Sequence, residues 1–68
     1  MNSRFLDRHC STLHALIAHG VPAAEAVALV AAARAAGQHE IRIASAGRVL
    51  LVRRMRGNHA DVFELVGA

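Results

Sequence analysis

The chain has no tryptophan, no tyrosine and no lysine, and in its 68 residues there are one proline, one cysteine and two phenylalanines. Each shortage excludes something. A single cysteine, Cys10, rules out an internal disulfide and cannot supply a zinc site by itself; it suits a reducing cytoplasm. With so few rings to stack on bases, a sheet of the aromatic-platform type that reads single strands is not expected. The longest apolar run, Ala26–Ala33, falls far short of the roughly 18 residues that span a bilayer, and no charged segment leading into an apolar block marks a secretory leader. Gly37, Gly47 and Gly57 stand singly, so there is no glycine-rich phosphate loop. A soluble cytoplasmic protein without membrane contact is therefore expected.

What is present is small and apolar. Hydrophobic residues make up 54% of the chain, but 15 of them are alanine, so the large side chains suffice for one thin core in a single domain spanning residues 1–68. A mean hydropathy of +0.32 is high for so short a chain, and self-association is one way to cover the excess. All eight basic residues are arginine; the net charge of +3 and the pI near 11.2 permit contact with nucleic acid or acidic proteins, although scattered arginines are also ordinary solvated surface.

Residues 39–66 read as three consecutive strands. His39–Ser45 and Arg48–Met55 meet across Ala46-Gly47, which sets Ile43 against Leu50, Ile41 against Val52 and Glu40 against Arg53. Arg56-Gly57-Asn58-His59 reads as a two-residue type II′ turn that sets Val52 against Phe63 and Leu50 against Leu65. The inner face is then Ile41, Ile43, Leu50, Val52, Phe63 and Leu65. The outer face is Glu40, Arg42, Ala44, Val49, Leu51, Arg53, Val62, Glu64 and Val66.

Ahead of the strands, Phe5, Leu6, Cys10, Leu13, Leu16 and Ile17 recur at three- and four-residue spacing, which predicts a helix from an Asn2 or Ser3 cap to His19, closed by Gly20. Val21-Pro22 starts a second helix running to Ala36 before Gly37, apolar on nearly every side, with Ala24, Ala28, Ala31 and Ala35 forming a smooth stripe. The expected fold is α+β, an N-terminal αα-hairpin packed on one face of a three-stranded antiparallel β-meander, in the order α-α-β-β-β. Leu16–Leu29 loosely matches helix-turn-helix spacing, but Pro22-Ala23-Ala24-Glu25-Ala26 lacks the side chains that read bases.

No constellation names a reaction. Cys10 and His14 have the i, i+4 spacing of two ligands on one helical face, yet two ligands make no site, and His9 and His19 would point elsewhere on the helix, so no metal and no cofactor are expected. Cys10 on the apolar stripe would be a buried, inert thiol, and Asp61 and Glu64 fall on opposite strand faces and cannot cooperate. The expected function is thus non-enzymatic: a protein–protein interaction module, acting as a regulator, inhibitor or adaptor of a size also found among proteins of phages and other mobile elements. Its expected contact is Arg42, Val49, Leu51, Arg53, Val62, Glu64 and Val66, an apolar centre with a charged rim, used for self-association or for another protein. The alternative is a basic nucleic-acid-binding protein using Arg42, Arg48, Arg53, Arg54 and Arg56.

Overall fold

The computed structural model describes residues 2–66, and the chain in it begins with a strand. The order is β1 (Asn2–His9), α1 (Thr12–Ala18), α2 (Ala23–Ala35), β2 (Glu40–Ser45), β3 (Arg48–Arg54) and β4 (Ala60–Val66). All four strands form one antiparallel sheet in the order β1-β4-β3-β2, with the helices on one face. The expected three-stranded meander headed by an αα-hairpin is therefore corrected: the first eight residues of the presumed helix are an edge strand paired with the last strand.

The reason lies in a bulge. Phe5 pairs with Phe63 but Asp7 with Val62, so Leu6 is the extra residue and the inside–outside alternation slips there. That slip destroys the period of two and leaves apolar residues at spacings that continue into α1 as a helical pattern. The helix itself starts only at Ser11, whose hydroxyl accepts from the backbone N–H of His14 at 3.1 Å. Its end is as the sequence indicates: Gly20 is left-handed, and Val21 N–H closes back on the Leu16 carbonyl at 3.0 Å. Helix α2 closes in the same way, through Gly37 and a 2.8 Å bond from Gln38 N–H to the Ala33 carbonyl.

The β2–β3 register is the expected one at every position, including Ile41 with Val52 and Ile43 with Leu50. The β3–β4 register is not. Met55 N–H donates to the His59 carbonyl at 2.7 Å, so the loop holds three residues, Arg56-Gly57-Asn58, where two were expected. Gly57 and Asn58 both take positive φ, unlike the type II′ geometry, which asks this of the first central residue alone. One more loop residue moves the register by one and turns every β4 side chain over. Val52 consequently pairs with Val62, Leu51 with Phe63 and Leu50 with Glu64.

The core is then Ile41, Ile43, Leu50, Val52, Ala60 and Val62 from the sheet against Ala15, Leu16, Ala26 and Ala33 from the helices, with Leu6, Leu13, Leu29 and Val30 at its margin. Phe63 and Leu65, expected in this core, face the other way. Small alanines at the helix contacts let both helices lie close to the sheet, while Ala24, Ala28, Ala31 and Ala35 remain exposed on the far side of α2. Among the described residues no helix is long and apolar enough to cross a membrane.

Candidate functional site

The uncovered face of the sheet carries the largest exposed apolar side chains of the strands. By register, β1 contributes Ser3, Phe5 and Arg8 to it, β4 Asp61, Phe63 and Leu65, β3 Val49, Leu51 and Arg53, and β2 Glu40, Arg42 and Ala44. Phe5 meets Phe63 edge to face with ring centroids 5.6 Å apart, and the Arg53 guanidinium lies 5.1 Å from the Phe63 ring centre. Phe5 is 51% exposed and Val49 44%, whereas Leu51, opposite Phe63, is only 6% exposed. Leu51 thus forms the floor of the patch, and Phe5 and Val49 are its raised contacts.

Of the seven residues expected to form this surface, Arg42, Val49, Leu51 and Arg53 lie on it. Val62, Glu64 and Val66 do not, because the register places them on the helix side: Val62 is fully buried in the core, and Val66 is exposed at the end of β4. Glu64 is held on that side between Arg4, which donates to it from β1, and Arg48, at 3.3 Å. Phe5, Arg8, Asp61, Phe63 and Leu65 take their place. The sequence signal for these was a match of charge across β1 and β4, with Arg4 opposite Glu64 and Arg8 opposite Asp61.

Asp61 anchors the charged rim. Arg8 Nε donates to its Oδ1 at 2.7 Å and Nη2 reaches Oδ2 at 3.4 Å, while Arg53 stands opposite it on β3. The Arg8 hydrogen bond, with the charges of Arg8, His59 and Arg53, holds the Asp61 carboxyl below the usual carboxylate range against the opposing effect of burial. A carboxyl with a depressed folded-state pKa contributes stability that is fully present above the unfolded value near 3.9 and is lost as pH falls through the folded value. Urea midpoints measured from pH 6 down to pH 2 are expected to fall on the acid side of about 3.9, and Asp61→Asn is expected to flatten that fall. An unchanged acid limb in the variant would refute the assignment.

The five arginines of the nucleic-acid alternative are divided. Arg42 and Arg53 point outward, and Arg53 also donates to Glu40 at 2.9 Å; Arg48 lies against Glu64, Arg54 donates to His39 Nδ1 at 3.1 Å, and Arg56 is in the β3–β4 loop. They do not form one basic track.

No protein-family model, curated protein or solved structure matches the chain.

Two further clusters differ from expectation. Cys10 is not on a buried helical stripe but exposed in the bend before α1, with its Sγ 2.7 Å from His14 Nδ1. Both line an open groove of about 660 Å³ that continues past Val27, Val30 and Arg34 of α2 to His39 and Arg54. His9 and His19, expected to point away from Cys10 and His14 on one helix, instead come together beside Asp7, since His9 ends β1 and His19 caps the C-terminus of α1.

Proposed function

We propose that the chain is a non-enzymatic interaction module whose working surface is the open sheet face, and that its partner there is a second copy of itself. The observation that carries this reading is the Phe5–Phe63–Leu51 patch with Val49 and Leu65 beside it, apolar at the centre and rimmed by Arg8, Arg42 and Arg53 together with Glu40, while Asp61 lies buried against Arg8. Charges of both signs around one apolar centre are self-complementary across a two-fold axis. Four strands about 4.8 Å apart and between 6 and 8 residues long span roughly 20 Å by 23 Å. That is smaller than the ~800 Å² per partner of a standard interface, so a micromolar dimer is the expected strength. A regulator, inhibitor or adaptor working on another cytoplasmic protein would use the same face, in competition with self-association.

Sedimentation equilibrium tests it. Wild type is expected to shift with concentration from 7.2 kDa toward twice that mass, and Val49→Glu or Phe5→Glu to sediment as a folded monomer. A single 7.2 kDa species at every accessible concentration, or a dimer that survives both substitutions, would overturn the proposal. The nucleic-acid alternative makes a different forecast, namely duplex binding that weakens steeply with added salt.

A further inference from the structure

We propose that Asp7, His9 and His19 bind one divalent transition-metal ion of the zinc class. Two of the three come from the end of β1 and the third from the end of α1. The bulge at Leu6 turns Asp7 to the helix side of β1, where it shares a face with His9, and the end of α1 brings His19 over both. Asp7 Oδ1 is 3.1 Å from His9 Nε2 and 3.1 Å from His19 Nε2, and the three donor atoms all lie within 4.8 Å of one another. Two ligand atoms bonded at about 2.1 Å to one ion stand roughly 3.0 Å apart at a right angle and roughly 3.4 Å apart at the tetrahedral angle. The two carboxylate–imidazole spacings fall between these. The two imidazoles stand edge to face, with centroids 5.6 Å apart and planes at 87°, so both ring nitrogens approach the carboxylate without stacking.

A hydrogen bond within the fold accounts for only part of this arrangement. His19 Nε2 donates to Asp7 Oδ1, which ties the end of α1 to β1. His9 Nε2 has no such role: it is buried and, among the described residues, has no hydrogen-bond partner, although it lies beside the same oxygen. Buried polar atoms are paired in the great majority of cases, so an orphaned ring nitrogen at the centre of a ligand cluster points to a missing partner. A metal ion would accept the lone pairs of both imidazoles and neutralise the carboxylate. Two nitrogens and one oxygen suit Zn²⁺, Co²⁺ or Ni²⁺, whereas Ca²⁺ and Mg²⁺ prefer oxygen throughout. Asp7 is about half exposed, which leaves a solvent-facing position for water as the fourth ligand. The site is on the helix side of the sheet and does not depend on the outer face or on dimerisation.

Titration of the full chain with Zn²⁺ by calorimetry, and with Co²⁺ by visible absorption, is the test. One ion per chain and a raised melting midpoint with Zn²⁺ are expected. Loss of a direct ligand in Asp7→Asn or His19→Gln is expected to weaken binding by at least about 100-fold, the upper end of what losing a mere supporting residue costs. His14→Gln and His59→Gln are expected to leave it unchanged. Imidazole nitrogen NMR of the wild type gives a reading that needs no variant: Zn²⁺ is expected to move the His9 and His19 signals and to spare His14, His39 and His59. Wild-type affinity in Asp7→Asn, equal loss in His14→Gln, or equal shifts in all five histidines would overturn the site.

Discussion

Val62→Glu is expected to leave no folded protein, whereas Phe63→Glu, one position along the same strand, is expected to leave a folded monomer. Val62 is fully buried beneath the helices and pairs with Val52, so a carboxylate there has no water and no cationic partner among the core residues. Burying an unpaired charge costs several kcal/mol. A chain of this length has a total stability of only about 3–10 kcal/mol, so the loss is decisive. Phe63 lies on the open face, where its replacement forfeits the edge-on ring contact with Phe5 and the Arg53 contact, together about 1–3 kcal/mol, while the new carboxylate stays near the Arg53 guanidinium. Far-UV circular dichroism and sedimentation of the two variants decide it. The reverse result, with Phe63→Glu unfolded and Val62→Glu native, would restore the two-residue loop and the register that goes with it.

Leu50→Ala is expected to lower stability by about 2–5 kcal/mol. Leu50 is 1% exposed and, with Leu16, Val52 and Val62, is among the largest fully buried side chains. It pairs with Ile43 on one side and Glu64 on the other, near the middle of the helix-facing side of the sheet. Rigid strands on both sides hinder collapse of the cavity that alanine would leave. The milder Ile43→Val, on the neighbouring strand, is expected to cost only about 0.5–1.5 kcal/mol. Urea denaturation measures both, and a Leu50→Ala midpoint within error of wild type would show that the core is centred elsewhere.

The β2–β3 hairpin and both helix ends are legible in the sequence because their determinants are local. Ile41 and Ile43 alternate with Glu40 and Arg42, two residues join the strands, and Gly20 and Gly37 supply left-handed closures within a few residues of the bonds they close. The polarity of β4 was less accessible. Gly57-Asn58 fits a two-residue or a three-residue loop equally well on paper, and that choice alone decides whether Val62 or Phe63 enters the core.

Strand β1 marks where local reading ends. Its apolar residues sit at helical spacings because the bulge interrupts the alternation, and its partner lies about sixty residues away, so no neighbouring residue declares it a strand. What the sequence by itself determined is each segment whose hydrogen bonds close within a turn or two: helix α2, the turn at Gly20 and the β2–β3 pairing. Only the tertiary structure decided the rest. β4 had a free edge whose Asp61 and Glu64 needed cations, and Arg8 and Arg4 of β1 meet both in register. That docking placed Phe5 beside Phe63 on the open face and brought Asp7 and His9 under His19, because the identity of long-range neighbours is set by which edges and charges remain unsatisfied after the local structure has formed.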